Sequence, residues 1–407
     1  MKLTLRQQLT QFAHVLQTGL FPVLKEELGE LTAPAKRLVA TLEMIPLARF
    51  VPSSRGWIGR PSKDRLAIAK AFVAKAVYGF GLTRQLLEAL QSDAQLRLIC
   101  GWSEARRIPH ESTFSRAFDE FARMELPQFV HEALILETQR DRLIGHIARD
   151  STAIEAREHY PEVASGVDAK KETPAAAAPL KATSEDKVPA KRKGKKGKRG
   201  PQKRCKGGQP QRSPREDTRL HRQRTMGLQA MLNDLPKDCS VGVKTSSSGY
   251  TYHWLGYKLH LDIADGQIPI SAVLTGASVH DSQVAIPLAT MSSQRVIYCY
   301  DLMDSAYDAQ EIREHCQGMG HVPIIDPKNG GRKSQCVNIP LGKPKRELSW
   351  AESERYKERT MVERVNARLK DEFGAREIRV KGAAKVMAHL MFGVLALTVD
   401  QLLKLIR

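Results

Sequence analysis

The most constraining feature of the chain is a run of strict alternation, TYHWLGYKLHLDIADGQIPISAVL, from Thr251 to Leu274. Leu255, Tyr257, Leu259, Leu261 and Ile263 fall two apart, so an extended backbone carries all five on one face. Ala264, Asp265 and Gly266 interrupt the pattern, and Ile268, Ile270, Ala272 and Leu274 resume it. That arrangement predicts a β-hairpin.

The segments around the hairpin extend it into an α/β plan. LIGHIARDSTAI reads as a strand ending near Asp150, and His280 to Ala289 as a helix. RVIYCYDLM is a fourth strand, SAYDAQEIREHCQ a helix and HVPII a fifth strand. A long helix is expected from about Trp350 to Phe373, and a last apolar one from Ala383 to Leu403. Three strands, helix, strand, helix, strand, helix is the order of a ribonuclease H-like domain, a mixed five-stranded sheet with helices on its faces. Upstream the pattern is helical. Leu66, Ala69, Val73, Ala76 and Val77 recur at helical spacing, widened by Ile68 and Phe72. LTRQLLEALQS and STFSRAFDEFARM read as two more helices, the latter capped by Ser112 or Thr113. A chain of 407 residues suits two or three folding units. The expected division is an all-α domain over 1–140 and the α/β domain over 141–407. The helices closing on IPHESTFSRAFDEF resemble a helix-turn-helix with Ser115 and Arg116 facing DNA, and a bundle that merely packs reads the same way.

Charge narrows the partner. Lys plus Arg number 64 against 45 Asp plus Glu, a formal net charge of +19, which argues for a polyanion such as nucleic acid. More than half of that surplus sits between Lys187 and Arg212, where twelve Lys or Arg meet no acidic residue. With the Ala/Pro-rich stretch before it, this run cannot bury enough apolar surface to order itself, so about 160–245 reads as a disordered insertion. It serves either as a phosphate-binding tether or as a solvated linker. Other classes fall away. The longest apolar stretch, Val386 to Val399, is short of the ~20 residues of a membrane span. The N-terminus lacks the apolar core of a signal peptide. Six scattered cysteines form no CxxC pair and suit a reducing cytosol. No phosphate-binding GxxxxGK[ST] loop is present.

In the expected fold the fourth strand lies beside the first, which brings Asp150 and Asp304 together. Two such carboxylates repel, and oxygen donors without thiol or imidazole suit Mg²⁺ or Mn²⁺. Asp301 is the rival for Asp304. His280-Asp281 reads as a helix start rather than a ligand pair. A third acid is available from RYKERTMVERVNARLKDEF. At ~100° per residue, Arg359, Glu363 and Lys370 fall within roughly 60° of Tyr356. Met361, Val362, Val365, Leu369 and Phe373 take the opposite side, the one expected to be buried. Glu363 can reach a metal from this face, while Arg359 and Lys370 can hold phosphates and Tyr356 can stack. A solvated face laced with charge pairs carries the same residues.

Tyr356-x2-Arg359-x3-Glu363-x6-Lys370 resembles the Tyr-Arg-Glu-Lys signature of a class of bacterial insertion-sequence transposases with a DDE triad. Asp304-Ser-Ala-Tyr307-Asp308 is similar to that class's second-Asp segment, and Arg149-Asp150-Ser151-Thr152 to its first-Asp strand. GRPSKDRLAIAKAFVAKAVYG and IPHESTFSRAF are similar to the helical domain these enzymes carry upstream. The resemblance implies a transposase that binds its terminal inverted repeats, cleaves DNA and transfers the strand. It implies Asp150, Asp304 and Glu363 as ligands of two Mg²⁺ (or Mn²⁺) ions, and Tyr356, Arg359 and Lys370 as DNA contacts. It further implies double-stranded transposon-end and target DNA as partners, a homodimer in the synaptic complex, no membrane, and a cytoplasmic, nucleoid-associated location. A nuclease of the same fold without strand transfer, or an inactive DNA-binding relic, are the alternatives. The long insertion between the first two strands departs from the simple ribonuclease H-like plan.

Overall fold

Apolar periodicity organises the described residues of the first part of the chain into nine α-helices. A computed structural model describes residues 3–51, 63–158, 218–245, 249–327 and 348–406, all within one compact unit. The helices are α1 (Leu5–Val15), α2 (Phe21–Leu28), α3 (Ala33–Met44), α4 (Leu47–Phe50), α5 (Arg65–Val77), α6 (Thr83–Ser92), α7 (Ala94–Cys100), α8 (Glu111–Arg123) and α9 (Leu126–Gln139). The cap of α8 is His110, whose ring accepts from the Ser112 amide, rather than Ser112 or Thr113 as the sequence suggested. Ser115 and Arg116 are exposed on this helix.

A sheet follows. β1 (Leu143–Glu155) precedes α10 (Arg219–Gln223), α11 (Leu228–Asp234), β2 (Ser240–Thr245), β3 (Thr251–Ala264) and β4 (Ile268–Gly276). Next come α12 (Ser282–Arg295), β5 (Ile297–Met303), α13 (Gln310–Gly318) and β6 (Val322–Ile325). The chain closes with α14 (Trp350–Tyr356), α15 (Thr360–Glu372) and α16 (Ala383–Lys404). The strand order is β2-β3-β1-β5-β6, with β4 also on β3. β1 runs antiparallel to β3 and parallel to β5, and β6 continues the parallel half.

The predicted hairpin is β3–β4, and its turn holds Gly266 and Gln267 at positive φ of 85° and 61°. Asp265 in that turn accepts from the Gly145 and His146 amides at 2.7 and 3.0 Å, which anchors the start of β1.

Four expectations need correction. Among the described residues the sheet has six strands rather than five, because β2 adds to β3. The insertion ends earlier than 245: Met231 and Leu235, helped by Leu220, Leu228 and Leu232, bury against the α12 side and order 218–245 into α10, α11 and β2. β1 continues past Asp150 to Glu155, because β3 pairs with it to Gly256. The helix expected over 350–373 is broken by a 3₁₀ turn at Lys357–Arg359. The basic run 187–212 lies outside the described residues.

The two faces of the sheet are covered differently. Tyr257, Leu259, Leu261 and Ile263 pack with α15 and α16, and this core runs on without a break into the helical region. The other face meets α12 and α13 through two smaller clusters. α16 is the spine of the larger core. It packs on β4 and α15 from one side and on α3, α5, α8 and α9 from the other. Its Phe392 ring stacks 5.9 Å from Phe72, which itself lies 4.8 Å from Phe118. Gly393 allows α16 to approach α15, since a Cβ there would sit 2.8 Å from the Phe373 carbonyl oxygen. α16 is long and apolar enough to cross a bilayer by length and composition, but most of it is buried inside the protein.

Candidate active site

The register of the parallel pair β1–β5 sets Arg149 opposite Met303. The next residue on each strand is an aspartate, Asp150 within β1 and Asp304 just past the end of β5, side by side on strands about 4.8 Å apart. Successive side chains alternate faces, so Arg149 and Asp150 point to opposite sides of β1.

Asp150 and Asp304 have little to offset their charge. Asp150 Oδ1 accepts from the Ser151 amide at 2.8 Å, and Asp304 Oδ1 from the Ala306 amide at 2.9 Å. Burial pushes the Asp150 carboxyl up to about 6, and the charges of Asp304 and Asp281 push the same way against the pull of Arg359. Burial likewise raises Asp304, with Asp281 and Asp326 adding to it. Burial thus makes the charged form of both aspartates costlier, a cost that a nearby cation offsets.

The helical segment after 350 lies across this edge as expected. Met361, Val362, Val365, Leu369 and Phe373 are all buried against the core. Glu363 is exposed on the other side and accepts from Arg359 Nη2 at 2.8 Å. Arg359 Nη1 lies 3.7 Å from Asp150 Oδ2. The guanidinium also sits over the Tyr356 ring, 5.9 Å from its centroid, and burial pushes the Tyr356 hydroxyl up to about 12. The structure therefore gathers Asp150, Asp304, Glu363, Arg359 and Tyr356 at one edge. Lys370 stands apart, ~10 Å further along the axis of α15. There burial, then Arg376 and Lys244, lower its ammonium.

Among the described residues no three acids, histidines or cysteines are gathered closely enough to hold a metal as they stand. Glu363 is tied to Arg359 rather than to the aspartates. The donor chemistry nonetheless fits a hard divalent ion: oxygen donors, two of them carboxylates raised by burial, Asp150 further by the charge of Asp304.

Asp301, the rival for Asp304, is on the far face. It is fully buried, and its Oδ1 accepts from Arg149 Nη2 at 3.1 Å and from the Tyr298 hydroxyl at 3.2 Å. Burial would raise it, but Arg149 and His321 outweigh that and hold it below the ordinary carboxylate range. Two contributors escaped the sequence reading. Asp281 does start α12, as expected, yet its charge bears on both Asp150 and Asp304 while Lys258 Nζ holds it at 3.0 Å. Arg149 is wholly buried beneath the site, and its sequence signal was only its place in the first-Asp segment.

Two family models match the chain. One, described as a transposase DDE domain, matches residues 236–399, which include Asp304 and Glu363. The other, described as a transposase domain (DUF772), matches residues 26–120 in the helical region. Asp150 lies outside both matched segments. No curated protein and no solved structure matches the chain. With most of its helical region and five of the six described strands matched in this way, the chain belongs to the insertion-sequence transposases that carry a DDE domain.

Proposed function

We propose that this transposase binds the terminal inverted repeats of its element, cleaves the DNA there and joins the freed strand to a target. In this reading the sheet is ribonuclease H-like, the chain falls in the Tyr-Arg-Glu-Lys class, and Asp150, Asp304 and Glu363 are its metal-binding acids. The observation that carries the reading is the register that sets Asp150 beside Asp304 under a helix presenting Glu363. Two Mg²⁺ or Mn²⁺ ions would supply activation of the attacking oxygen and stabilisation of the leaving one.

The chain's own residues do the rest. Asp150 and Asp304 bring fixed negative charge to one edge, held by backbone amides that fix their aim. Arg359 and Lys370 hold the phosphates of the strand, and Tyr356 packs beside it. The region 1–140 binds DNA and assembles a homodimer on two ends. The basic stretch 187–212 adds sequence-independent phosphate contacts.

A labelled duplex of the element's end, incubated with Mg²⁺, tests this. Wild type should yield a new 3′ end and then a joined product. Asp150→Asn, Asp304→Asn and Glu363→Gln should each abolish cleavage while end binding persists. Cleavage without joining by wild type would make the chain a nuclease. Near wild-type cutting by any of the three variants would remove that acid from the assignment.

A further inference from the structure

The side chain that joins the acids in this structure is a cation of the protein's own. Arg359 donates to Glu363 at 2.8 Å and reaches within 3.7 Å of Asp150. Its Nη1 is buried with no hydrogen-bond partner, so it holds Asp150 by charge rather than through a made bond. The 3₁₀ turn Lys357–Arg359, between α14 and α15, packs on β1 and β5, and Arg359 at its end reaches Asp150 on β1. The side chain of Arg359 is 19% exposed and that of Glu363 is 55% exposed. The cation is therefore the inner member of the pair and the acid the outer one.

We propose that Arg359 is a resident counter-ion: its guanidinium bridges Asp150 and Glu363, and that bridge must open before the two carboxylates can share a divalent ion. This rests on the reading of these acids as the metal-binding group. A guanidinium neutralises charge but is acceptor-free and cannot polarise a phosphate as a Lewis acid does. Its planar fork of N–H donors suits a phosphate at least as well as a carboxylate. A DNA phosphate entering beside Tyr356 competes for the same donors that hold Glu363 and Asp150. Drawing Arg359 onto the phosphate frees both acids. Metal and DNA then act on one side chain from opposite sides, and each must raise the other's affinity by the same factor. The site stays closed to metal in the free protein and opens when substrate arrives.

The test is Mn²⁺ binding by isothermal titration, with and without a duplex of the element's end, after subtracting Mn²⁺ uptake by the duplex alone. Wild type, Arg359→Ala, Asp150→Asn and Arg355→Ala are compared. Arg355 lies over the Tyr300 ring, away from the bridge, and controls for the loss of a positive charge. Without DNA, Arg359→Ala should bind Mn²⁺ at least about tenfold more tightly than wild type, within the range usual for coupled sites. Arg355→Ala should match wild type. The duplex should tighten Mn²⁺ binding to wild type by a similar factor and leave Arg359→Ala unchanged. If Arg359→Ala does not fold by circular dichroism, Arg359→Gln takes its place.

No tightening in the Arg359 variant, or a DNA effect on it as large as in wild type, overturns the counter-ion role. Loss of Mn²⁺ binding in Asp150→Asn alongside either of those results leaves the acid assignment standing and removes only the counter-ion. Unchanged Mn²⁺ binding in Asp150→Asn removes both.

Discussion

Two clusters of carboxylates lie back to back on the same strands, and they are built on opposite terms. On one face Arg149, Asp262 and Asp301 are wholly buried. Arg149 donates from Nε and Nη2 to the two Asp262 oxygens, both at 2.8 Å, and from Nη2 to Asp301 at 3.1 Å. Ser292 adds a hydroxyl to Asp262 at 2.7 Å, and Arg149 Nη1 reaches the Met303 sulfur at 3.3 Å. On the other face Asp150 and Asp304 each receive a single backbone amide, and the nearby cation stops at 3.7 Å. The first cluster uses its charges to lock three strands in register. The second leaves its charges under-compensated, which costs stability and preserves a demand for a cation. One residue step along β1 separates the two.

The largest way to break this comparison is to remove the cation from the closed cluster. Arg149→Leu leaves two carboxylates buried without their partner and should destabilise the protein by about 3–5 kcal/mol in urea denaturation. A loss below about 1 kcal/mol would mean that the network does not hold the strands together.

The open cluster should respond in the opposite direction. The Asp150 carboxyl in the folded protein, at about 6, lies above its ordinary 3.8. Its contribution to stability is complete below about pH 4 and is lost as pH rises through 6. Asp150→Asn should therefore gain roughly 1–3 kcal/mol at pH 8 and almost nothing at pH 4, even as it destroys cleavage. An equal gain at both pH values would show that the substitution acts through packing instead. Asp304→Asn should move in the same direction, because burial raises that carboxyl too.

The smallest effect is expected at the outer acid. Glu363 is more than half exposed, and its pair with Arg359 is of the surface kind, worth less than about 1 kcal/mol. Glu363→Gln should leave the thermal melting curve almost unchanged while cutting is lost. A clear drop in melting temperature would make Glu363 part of the frame rather than of the chemistry.

The contrast between the clusters also explains what could be read before the structure. The β3–β4 hairpin and the buried stripe Met361, Val362, Val365, Leu369 and Phe373 were legible because each is written in local periodicity, whereas the neighbouring β1 and β5 followed from the order of elements read as a ribonuclease H-like plan. Arg149 was not. A charged residue in an alternating strand looks solvent-facing until Asp262 and Asp301, more than a hundred positions on, are known to meet it. The break at Lys357–Arg359 has no glycine or proline to announce it, and a continuous helical wheel passes over it. The helices α10 and α11 were hidden by polar flanks, and only their contacts with α12 reveal why Met231 and Leu235 are apolar. Arg359 was read as a phosphate ligand, and its bridge between two acids depends on a tertiary approach no spacing encodes.

The position of α16 bears on how the protein is made. It emerges from the ribosome after every other described element, yet it packs on both the helical region and the sheet. Until it arrives, Phe72 and Phe118 lack Phe392, and the carbonyl of Phe373 lacks the flat glycine surface that meets it. Neither region can finish its core in advance, so folding closes as one late event rather than piece by piece. A polypeptide terminated before Ala383 would leave the upstream helices without their shared support as surely as it would the sheet.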